Sequence, residues 1–169
     1  MRQAVRCFVA LGANLGDPVA TVTAAIAELS GLPDARLIAT SSLYRTAPVG
    51  LKHQPDFINA VVALEVSRLA SDTVVSASTF LQILFDIEAR FGRERTVANA
   101  PRTLDLDLLL YGKQVSADPQ LSLPHPRLHE RAFVLAPLAE IAPALTIPGR
   151  GRVGDLLAAC TDQRIEKLR

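Results

Sequence analysis

The sequence predicts an α+β protein, specifically a ferredoxin-like αβ sandwich in which helices pack on a mainly antiparallel sheet. Two kinds of hydrophobic periodicity support this: a period of two residues in four segments and a helical period in two longer ones. The segments follow each other in the order strand, helix, strand, strand, helix, strand. Because only a loop joins the second and third strands, a doubly wound parallel sheet, with a helix at each connection, is not expected.

The first unit is a strand, a helix and a strand. Apolar residues alternate over 5–11, which predicts the first strand. Asp17 is a good N-cap and Pro18 suits the first helical position, so we expect a helix that begins there and ends at Gly31. The second strand is predicted over 36–43.

The second unit repeats this order after a long loop. Its predicted elements are the loop 44–56, a strand over 57–66, a helix over 74–91, a second loop over 93–101 and a strand over 103–111. Past Gly112 the pattern is shorter, with helices predicted over 133–142 and 153–159 and an edge strand over 164–168. Pro137 is expected in the first turn of the former helix.

Composition and charge exclude several classes of protein. Hydrophobic residues make up 49% and charged residues 21% of the 169 residues, which is typical of one folded domain (1–169) and not of a disordered chain. The net charge of +1 gives no field that would attract nucleic acid or a membrane surface, and no apolar run is long enough to span a bilayer. We expect a cytoplasmic protein, monomeric, with Cys7 and Cys160 as reduced thiols.

Two aspartates on the last strong strand need an explanation. The leucines that should share its core face are Leu104, Leu106, Leu108 and Leu110. Asp105 and Asp107 then share the other face, with Cα atoms about 6.6 Å apart at a rise of ~3.3 Å per residue. Two ionised carboxylates this close repel each other and resist burial, so either this face is solvated or a cation lies between them. Hard oxygen ligands in this number suit Mg²⁺, which completes its shell with water and phosphate oxygens.

Arginines cluster directly upstream of the two aspartates. The four that fall within thirteen residues are Arg90, Arg93, Arg95 and Arg102. A loop that carries arginines beside a carboxylate pair is what polyphosphate transfer requires, because metals bridge phosphate oxygens and guanidinium groups neutralise charge in the transition state. The alternative is that these arginines are surface residues that pair with the aspartates.

The same segment resembles a known family. Pro101-Arg102-Thr103-Leu104-Asp105-Leu106-Asp107 is similar to the signature of the 6-hydroxymethyl-7,8-dihydropterin pyrophosphokinases of folate biosynthesis. Further matching segments, in order and at compatible spacing, are Leu11-Gly12-Ala13-Asn14-Leu15-Gly16-Asp17, Tyr44-Arg45-Thr46-Ala47-Pro48, Gln54-Pro55-Asp56-Phe57-Ile58-Asn59-Ala60, Leu123-Pro124-His125-Pro126 and Arg131-Ala132-Phe133. The resemblance implies the ferredoxin-like fold and transfer of pyrophosphate from ATP, the co-substrate, to the hydroxymethyl group of the pterin, with AMP leaving.

The resemblance also implies roles for individual residues. Asp105 and Asp107 would hold two Mg²⁺ ions against the ATP phosphates. The arginines that would stabilise the transferring group are Arg93 and Arg102. The residues that match ATP contacts are Arg95, His125, Arg131 and Glu88. For His125 the alternative is an ordinary loop histidine, and for Glu88 an exposed helix glutamate.

A pterin pocket follows from the same comparison and has a physical rationale. Phe57 and Asn59 are two apart on a strand and face the same way. A flat heterocycle needs an aromatic surface to stack on and an amide to read its edge, and Phe133 would supply the second aromatic wall. Thr46 and Val49 match loop positions whose backbone meets the ring edge. The alternative is that both phenylalanines are only core residues.

Two departures from the family pattern concern the nucleotide. Phe85 stands where the family can have glutamine, and Gln120 where it can have arginine; the chain also has no Trp for the arginine loop. Two other functions remain open from the residues alone. One is a metal-dependent nucleotidyl or phosphoryl transferase with a different acceptor, and the other is a non-catalytic ferredoxin-like binding module, for example for RNA.

Overall fold

The structure, a computed structural model, describes residues 4–48, 53–67, 76–92 and 103–168. In these ranges the strands are β1 (Ala4–Ala13), β2 (Ala35–Thr40), β3 (Tyr44–Thr46), β4 (Phe57–Ser67), β5 (Asp105–Tyr111), β6 (Ser116–Asp118), β7 (Leu121–Leu123), β8 (Thr146–Ile147), β9 (Gly151–Arg152) and β10 (Ile165–Lys167). The helices are α1 (Pro18–Ser30), α2 (Ala77–Arg90), α3 (Ala132–Ile141) and α4 (Val153–Ala158), with a short 3-10 helix at Leu128–Glu130. The predicted α+β class is confirmed.

One sheet organises the described part of the chain. Five of its strands lie in the order β10, β3, β4, β1, β5, and β2 also pairs with β4. All of these pairings are antiparallel, as predicted. The short strands β3 and β2 share one edge of the long strand β4, where β3 pairs with its first residues and β2 with its last ones. Two small hairpins, β6–β7 and β8–β9, lie outside this sheet.

Helices cover both faces of the sheet. On one face, Leu29 of α1 and Ile87 of α2 are fully buried in a cluster with alternate residues of β1 and β4. On the other face, Leu135 of α3 and Val153 of α4 are fully buried in a second cluster with the intervening residues. Burying one such aliphatic side chain stabilises the fold by roughly 1.5–3 kcal/mol, so both helical layers are held by hydrophobic contact.

The ends of the two long helices follow from their capping residues. The backbone N–H of Ala20 donates to Asp17 Oδ1 at 3.1 Å, so the predicted N-cap of α1 is confirmed. The predicted start of α2 at residue 74 is wrong, because Ser76 is its N-cap and accepts from the N–H of Thr79 at 3.1 Å.

Two other sequence predictions of local structure are wrong, and one hairpin was missed. The first residues of the predicted loop 44–56 form β3, which is too short to show a hydrophobic period. The hairpin β6–β7 was not expected from the irregular pattern past Gly112. Pro137 lies in the second turn of α3, not the first, so this helix lacks one internal hydrogen bond there.

A β-bulge in β5 overturns the expectation that Leu110 shares the face of Leu108. Phe8 lies opposite Leu110 while Val9 lies opposite Leu108, so Leu109 is an extra residue on β5. The extra residue reverses the alternation beyond it. Leu108 therefore packs in the cluster under α1 and α2, and Leu110 packs in the cluster under α3.

Candidate active site

The face of the sheet that carries α3 brings the polar strand residues together. Gly12 of β1 lies directly opposite Asn59 of β4 on one side and opposite Asp105 of β5 on the other. One step along, Ala10 lies opposite Asp107. Residues directly opposite in an antiparallel pair point to the same face. The Asn59 amide therefore lies on one side of the small residues of β1, and the two carboxylates lie on the other side. The prediction that both aspartates share one face is confirmed.

A cavity of about 510 Å³ opens above this row and is called the large cavity. Its lining residues are Ala10, Leu11, Gly12, Thr46, Ala47, Phe57, Asn59, Asp105, Asp107, His125, Arg127, Glu130, Arg131, Phe133, Val134 and Gln163. The cavity combines aromatic walls from β4 and α3 with charged groups at its other end. Such a composition suits a flat polar ligand that carries an anionic or metal-binding end.

The amide of Asn59 is held ready for a ligand. Its Nδ2 donates to Thr46 Oγ1 at 2.8 Å, and its residue is only 6% exposed. Within the described ranges, Oδ1 of Asn59 has no hydrogen-bond partner. Asn59 lines the large cavity, so this oxygen is available as an acceptor for a donor group of a ligand bound there. Thr46 thus orients this amide with its side chain, and the role of its backbone beside the pterin ring stays a prediction.

A second cavity of about 250 Å³, the small cavity, lies on the other side of the carboxylates. Its lining residues are Leu81, Phe85, Asp105, Leu106, Asp107, Leu108, Pro119, Gln120, Leu121, Ser122, Leu123, His125 and Pro126. Both aspartates and His125 line the two cavities alike. The carboxylate pair therefore stands at the junction of two ligand-sized spaces. Phe85 and Gln120, the two departures from the family pattern, both line the small cavity.

His125 faces this junction as a neutral imidazole. Burial lowers its pKa to about 4, and the nearby cations Arg131 and Arg127 act in the same direction, while Asp105 opposes them. Its Nδ1 accepts from the backbone N–H of Arg127 at 3.3 Å, so the ring proton is on Nε2 and can be donated to a ligand. The backbone N–H of His125 donates to the carbonyl of the bulge residue Leu109 at 3.0 Å, which fixes the loop to β5.

Arg131 and Phe133 form one unit at the start of α3. The guanidinium carbon of Arg131 lies 5.4 Å from the centroid of the Phe133 ring, a cation–π contact. Both side chains line the large cavity. The same contact therefore orients an anion-binding group and an aromatic wall, and the two residues that the sequence placed in different subsites are adjacent.

Glu88 is buried, so the alternative of an exposed helix glutamate is wrong. It is 2% exposed on α2, and its Oε2 accepts the backbone N–H of Leu106 at 2.8 Å. Among the described strands β5 lies at the edge of the sheet, and this N–H lies between the two aspartates on the side that none of those strands covers. Glu88 lines neither cavity, so in the described structure it acts on the backbone that carries Asp105 and Asp107.

Several predicted residues lie outside the described residues, namely Arg93, Arg95, Arg102 and Val49. Sequence reasoning also assigned no role to Asn14, whose amide is 1% exposed and donates to Gln54 Oε1 at 2.8 Å and to the Pro55 carbonyl at 3.0 Å. These bonds fix the segment before Phe57. The sequence feature that could have indicated this role is the position of Asn14, a polar residue directly after a buried strand.

The donor groups at the junction of the two cavities decide whether a metal ion fits there. Among the residues that the structure describes, no three His, Cys, Asp or Glu residues gather into a metal-binding cluster. Mg²⁺ does not need one, because it binds through one or two carboxylates and keeps water and phosphate oxygens in its shell. The half-buried pair Asp105 and Asp107 at the junction of two cavities fits such an ion.

An antiparallel α+β scaffold with two cavities that meet at a carboxylate pair defines the class: an enzyme that brings two small substrates together, one of them carrying phosphate. Residues 8–143 match the family model of 7,8-dihydro-6-hydroxymethylpterin-pyrophosphokinase. The chain belongs to this family, whose activity is pyrophosphoryl transfer from ATP to the hydroxymethyl-dihydropterin of folate biosynthesis.

Relatives agree with this membership, and a solved structure shares the fold. The 2-amino-4-hydroxy-6-hydroxymethyldihydropteridine pyrophosphokinase of Pseudomonas aeruginosa is 44% identical over 163 residues, 96% of each chain. The enzyme of the same name from Haemophilus influenzae is 38% identical over 164 residues, 97% of this chain and 98% of that one. The wild-type HPPK-DHPS protein of Plasmodium falciparum superposes with a TM-score of 0.68 at 14% identity, over 94% of this chain and 41% of that one. This chain thus spans less than half of that longer structure, which supports the fold alone.

Proposed function

We propose that the large cavity binds 6-hydroxymethyl-7,8-dihydropterin, that the small cavity binds the nucleoside of ATP, and that the pyrophosphoryl group passes between them at Asp105 and Asp107. The observation that carries this proposal is that both aspartates line both cavities. A group transferred from a ligand in one cavity to a ligand in the other must pass these carboxylates.

The large cavity suits the pterin in size and chemistry. Its volume of about 510 Å³ is within the range of small-molecule sites. Phe57 and Phe133 offer aromatic surfaces for a bicyclic ring, and Asn59 offers an acceptor that lacks a partner among the described residues. The hydroxymethyl group then lies toward Gly12 and Asp105, which is the next position in the row across the sheet.

The small cavity suits a nucleoside. Apolar side chains such as Leu81 and Phe85 can cover the faces of a base, while Gln120 and Ser122 offer polar contacts to its edge or to the ribose. The described residues give this cavity no cationic side chain. The phosphates therefore extend away from it, across the aspartates, toward Arg131 in the large cavity.

Two Mg²⁺ ions are proposed at Asp105 and Asp107. When bound, they would neutralise phosphate oxygens and orient the polyphosphate for in-line attack. Asp105 and Asp107 would each supply carboxylate oxygens, and the substrates and water would supply the other ligands. Glu88 holds the strand between the two aspartates through its 2.8 Å bond to Leu106 and so keeps both carboxylates at the junction.

The reaction is a displacement at the β-phosphorus of ATP. The hydroxymethyl oxygen forms a bond to this phosphorus, the bond to the oxygen that bridges the α and β positions breaks, and AMP leaves with that oxygen. The hydroxymethyl proton goes to solvent. Neutral His125 donates from Nε2 to a phosphate oxygen, and Arg131 offsets negative charge in the transition state. These residues act by position and charge.

Other parts of the assignment rest on the resemblance. Arg93 and Arg102 as transfer-stabilising residues, Arg95 and Glu88 as ATP contacts, and Val49 beside the pterin stay predictions. So do the monomeric state, the cytoplasmic location and the single domain 1–169. Among the described residues, no helix is both long and apolar enough to cross a membrane.

We also propose the ferredoxin-like class. The four strands that alternate with α1 and α2 lie in the order β2, β4, β1, β5 across the sheet. In this order each strand–helix–strand unit is split by a strand of the other unit, which is the ferredoxin-like pattern.

The test is product analysis with ATP, Mg²⁺ and 6-hydroxymethyl-7,8-dihydropterin. AMP and pterin diphosphate should appear in equal amounts, and Asp105→Asn and Asp107→Asn should each reduce the rate by about 100-fold or more. Asp155→Asn on the exposed side of α4 is the matched control and should keep the wild-type rate. Calorimetry should show that the two active-site variants lose the Mg²⁺-dependent part of ATP binding. A folded wild-type protein that forms neither product would refute the proposal.

A further inference from the structure

The segment after the family-matched region returns to the large cavity. The match to the family ends at residue 143, whereas Gln163 lines the cavity and the following residues form β10 on the sheet edge. We call residues 163–167 the C-terminal strap. No step of the proposed reaction involves the strap, although it contacts both sides of the proposed acceptor site.

At one end of the strap, Gln163 bonds the backbone on both sides of Arg131. Its Oε1 accepts the N–H of Ala132 at 2.9 Å, and its Nε2 donates to the carbonyl of Glu130 at 2.7 Å. The first N–H groups of a helix have no partner within the helix. Arg131, the N-cap of α3, makes no side-chain capping bond. Gln163 therefore supplies the missing cap from 31 residues further along the chain.

At its other end, the strap pairs with the opposite wall of the cavity. Ile165 lies opposite Thr46, the residue that orients the Asn59 amide, in the pairing of β10 with β3. Lys167 Nζ lies 3.5 Å from Glu140 Oε2. Glu140 in turn accepts from the Tyr44 hydroxyl at 2.9 Å, so α3 and β3 are also joined here. Five consecutive residues thus connect the α3 wall with the β3 wall.

We propose that Gln163 is a positioning residue for the acceptor site: by fixing the peptide units around Arg131, it sets the Arg131–Phe133 unit against the pterin. The two bonds restrain both peptide groups that flank Arg131, and so the backbone from which its side chain projects. The guanidinium group lies 5.4 Å from the Phe133 ring, so a change in the direction of Arg131 also releases that ring. The inference rests on the proposed function, because it takes the large cavity as the pterin site.

The experiment compares two substitutions of Gln163 in the full chain. Gln163→Met keeps the length of the side chain and removes both hydrogen bonds. Gln163→Glu keeps an acceptor for the Ala132 N–H and loses the donor to Glu130. Gln82→Met on α2 is the matched control, because Gln82 is also exposed, its Nε2 donates to Asp86 at 3.0 Å, and it lines neither cavity.

The readouts are the acceptor KM, kcat and the thermal unfolding midpoint, with all rates measured at a temperature where each variant is folded. We expect the acceptor KM to rise about 3- to 20-fold in Gln163→Met, as for the loss of one or two partly exposed hydrogen bonds. The acceptor KM of Gln163→Glu should lie between that of Gln163→Met and that of the wild type. The acceptor KM of Gln82→Met should equal that of the wild type.

A purely structural cap would lower the unfolding midpoint and leave the acceptor KM within twofold of wild type, and that result overturns the proposal. If Gln163→Met does not fold, Gln163→Glu decides by the same criterion. The wild-type protein is assayed in parallel. Absence of turnover there refutes the proposed function itself, whereas normal wild-type turnover with an unchanged KM in the variants refutes only the role of Gln163.

Discussion

Gly12 offers a sharp test of how the acceptor is recognised, because alanine there should weaken pterin binding without unfolding the protein. A Cβ atom at Gly12 would lie 3.1 Å from Oδ1 of Asn59, tighter than ordinary van der Waals contact. The amide would have to move by a few tenths of an ångström, and the new methyl group would cover the oxygen that we assign to the ligand. Gly12 itself lines the large cavity, so the methyl group also occupies ligand space.

The magnitude follows from the loss of one buried hydrogen bond. Leaving a buried acceptor unsatisfied costs about 1–3 kcal/mol, which corresponds to an acceptor Kd about 5- to 150-fold higher. Stability should change little. Replacing glycine in a strand interior usually stabilises by roughly 0.5–1 kcal/mol, which offsets the strain of the close contact.

Calorimetric titration with the pterin and, separately, with Mg-ATP measures the effect. We expect weaker pterin binding and unchanged nucleotide binding in Gly12→Ala. The matched control is Gly154→Ala on α4, where an added Cβ meets nothing within 4 Å. In an Asn59→Ala background the Gly12→Ala substitution should raise the Kd of the pterin by less than about threefold, since the oxygen that the methyl group covers is gone. Pterin affinity within twofold of wild type in a folded Gly12→Ala protein would refute the reasoning.

Two further predictions concern stability. Glu88→Ala should lower the free energy of unfolding in urea by about 1–3 kcal/mol, because the buried Leu106 N–H loses its acceptor. Glu88→Gln retains an acceptor oxygen and should keep most of the wild-type stability. Equal losses in both variants would contradict this role. For Glu140, burial alone would raise the pKa, but hydrogen bonds from Ser42 and Tyr44 hold the pKa below its ordinary value of 4.5. A lowered folded-state pKa gives stability that is present above the unfolded-state pKa and is lost as pH falls through the folded-state pKa. The difference in unfolding free energy between wild type and Glu140→Gln should therefore shrink below about pH 4.5; a constant difference would show that this carboxylate does not contribute through its charge.

The sequence predicted the centre of the site because alternation along a strand is a local rule. Asp105 and Asp107 had to share a face whatever the rest of the chain did, and the structure has them on one face. The same rule failed three residues later at Leu110, because a bulge depends on how two strands pair and leaves no mark in the period of either.

Contacts between distant segments were not predictable from one sequence. Gln163 acts on backbone groups 31 and 33 residues away, and backbone groups have no sequence signature. From the sequence, Glu88 could also have been an exposed helix residue. Only the packing of α2 against β5 shows that it is buried. β3 has only three residues, so neither period nor composition separates it from a loop.

The bulge at Leu109 gives β5 one residue that its pairing with β1 does not use. Removing this one residue would leave Asp105 opposite Gly12, Asp107 opposite Ala10 and Leu110 opposite Phe8, so each would keep its face of the sheet. The deletion would instead take the buried Leu109 side chain out of the cluster under α3 and α4. The carbonyl that receives the His125 N–H would be lost as well. The bulge therefore serves the loop that carries His125, and deleting Leu109 should release this loop from β5 while the two aspartates keep their places on the sheet.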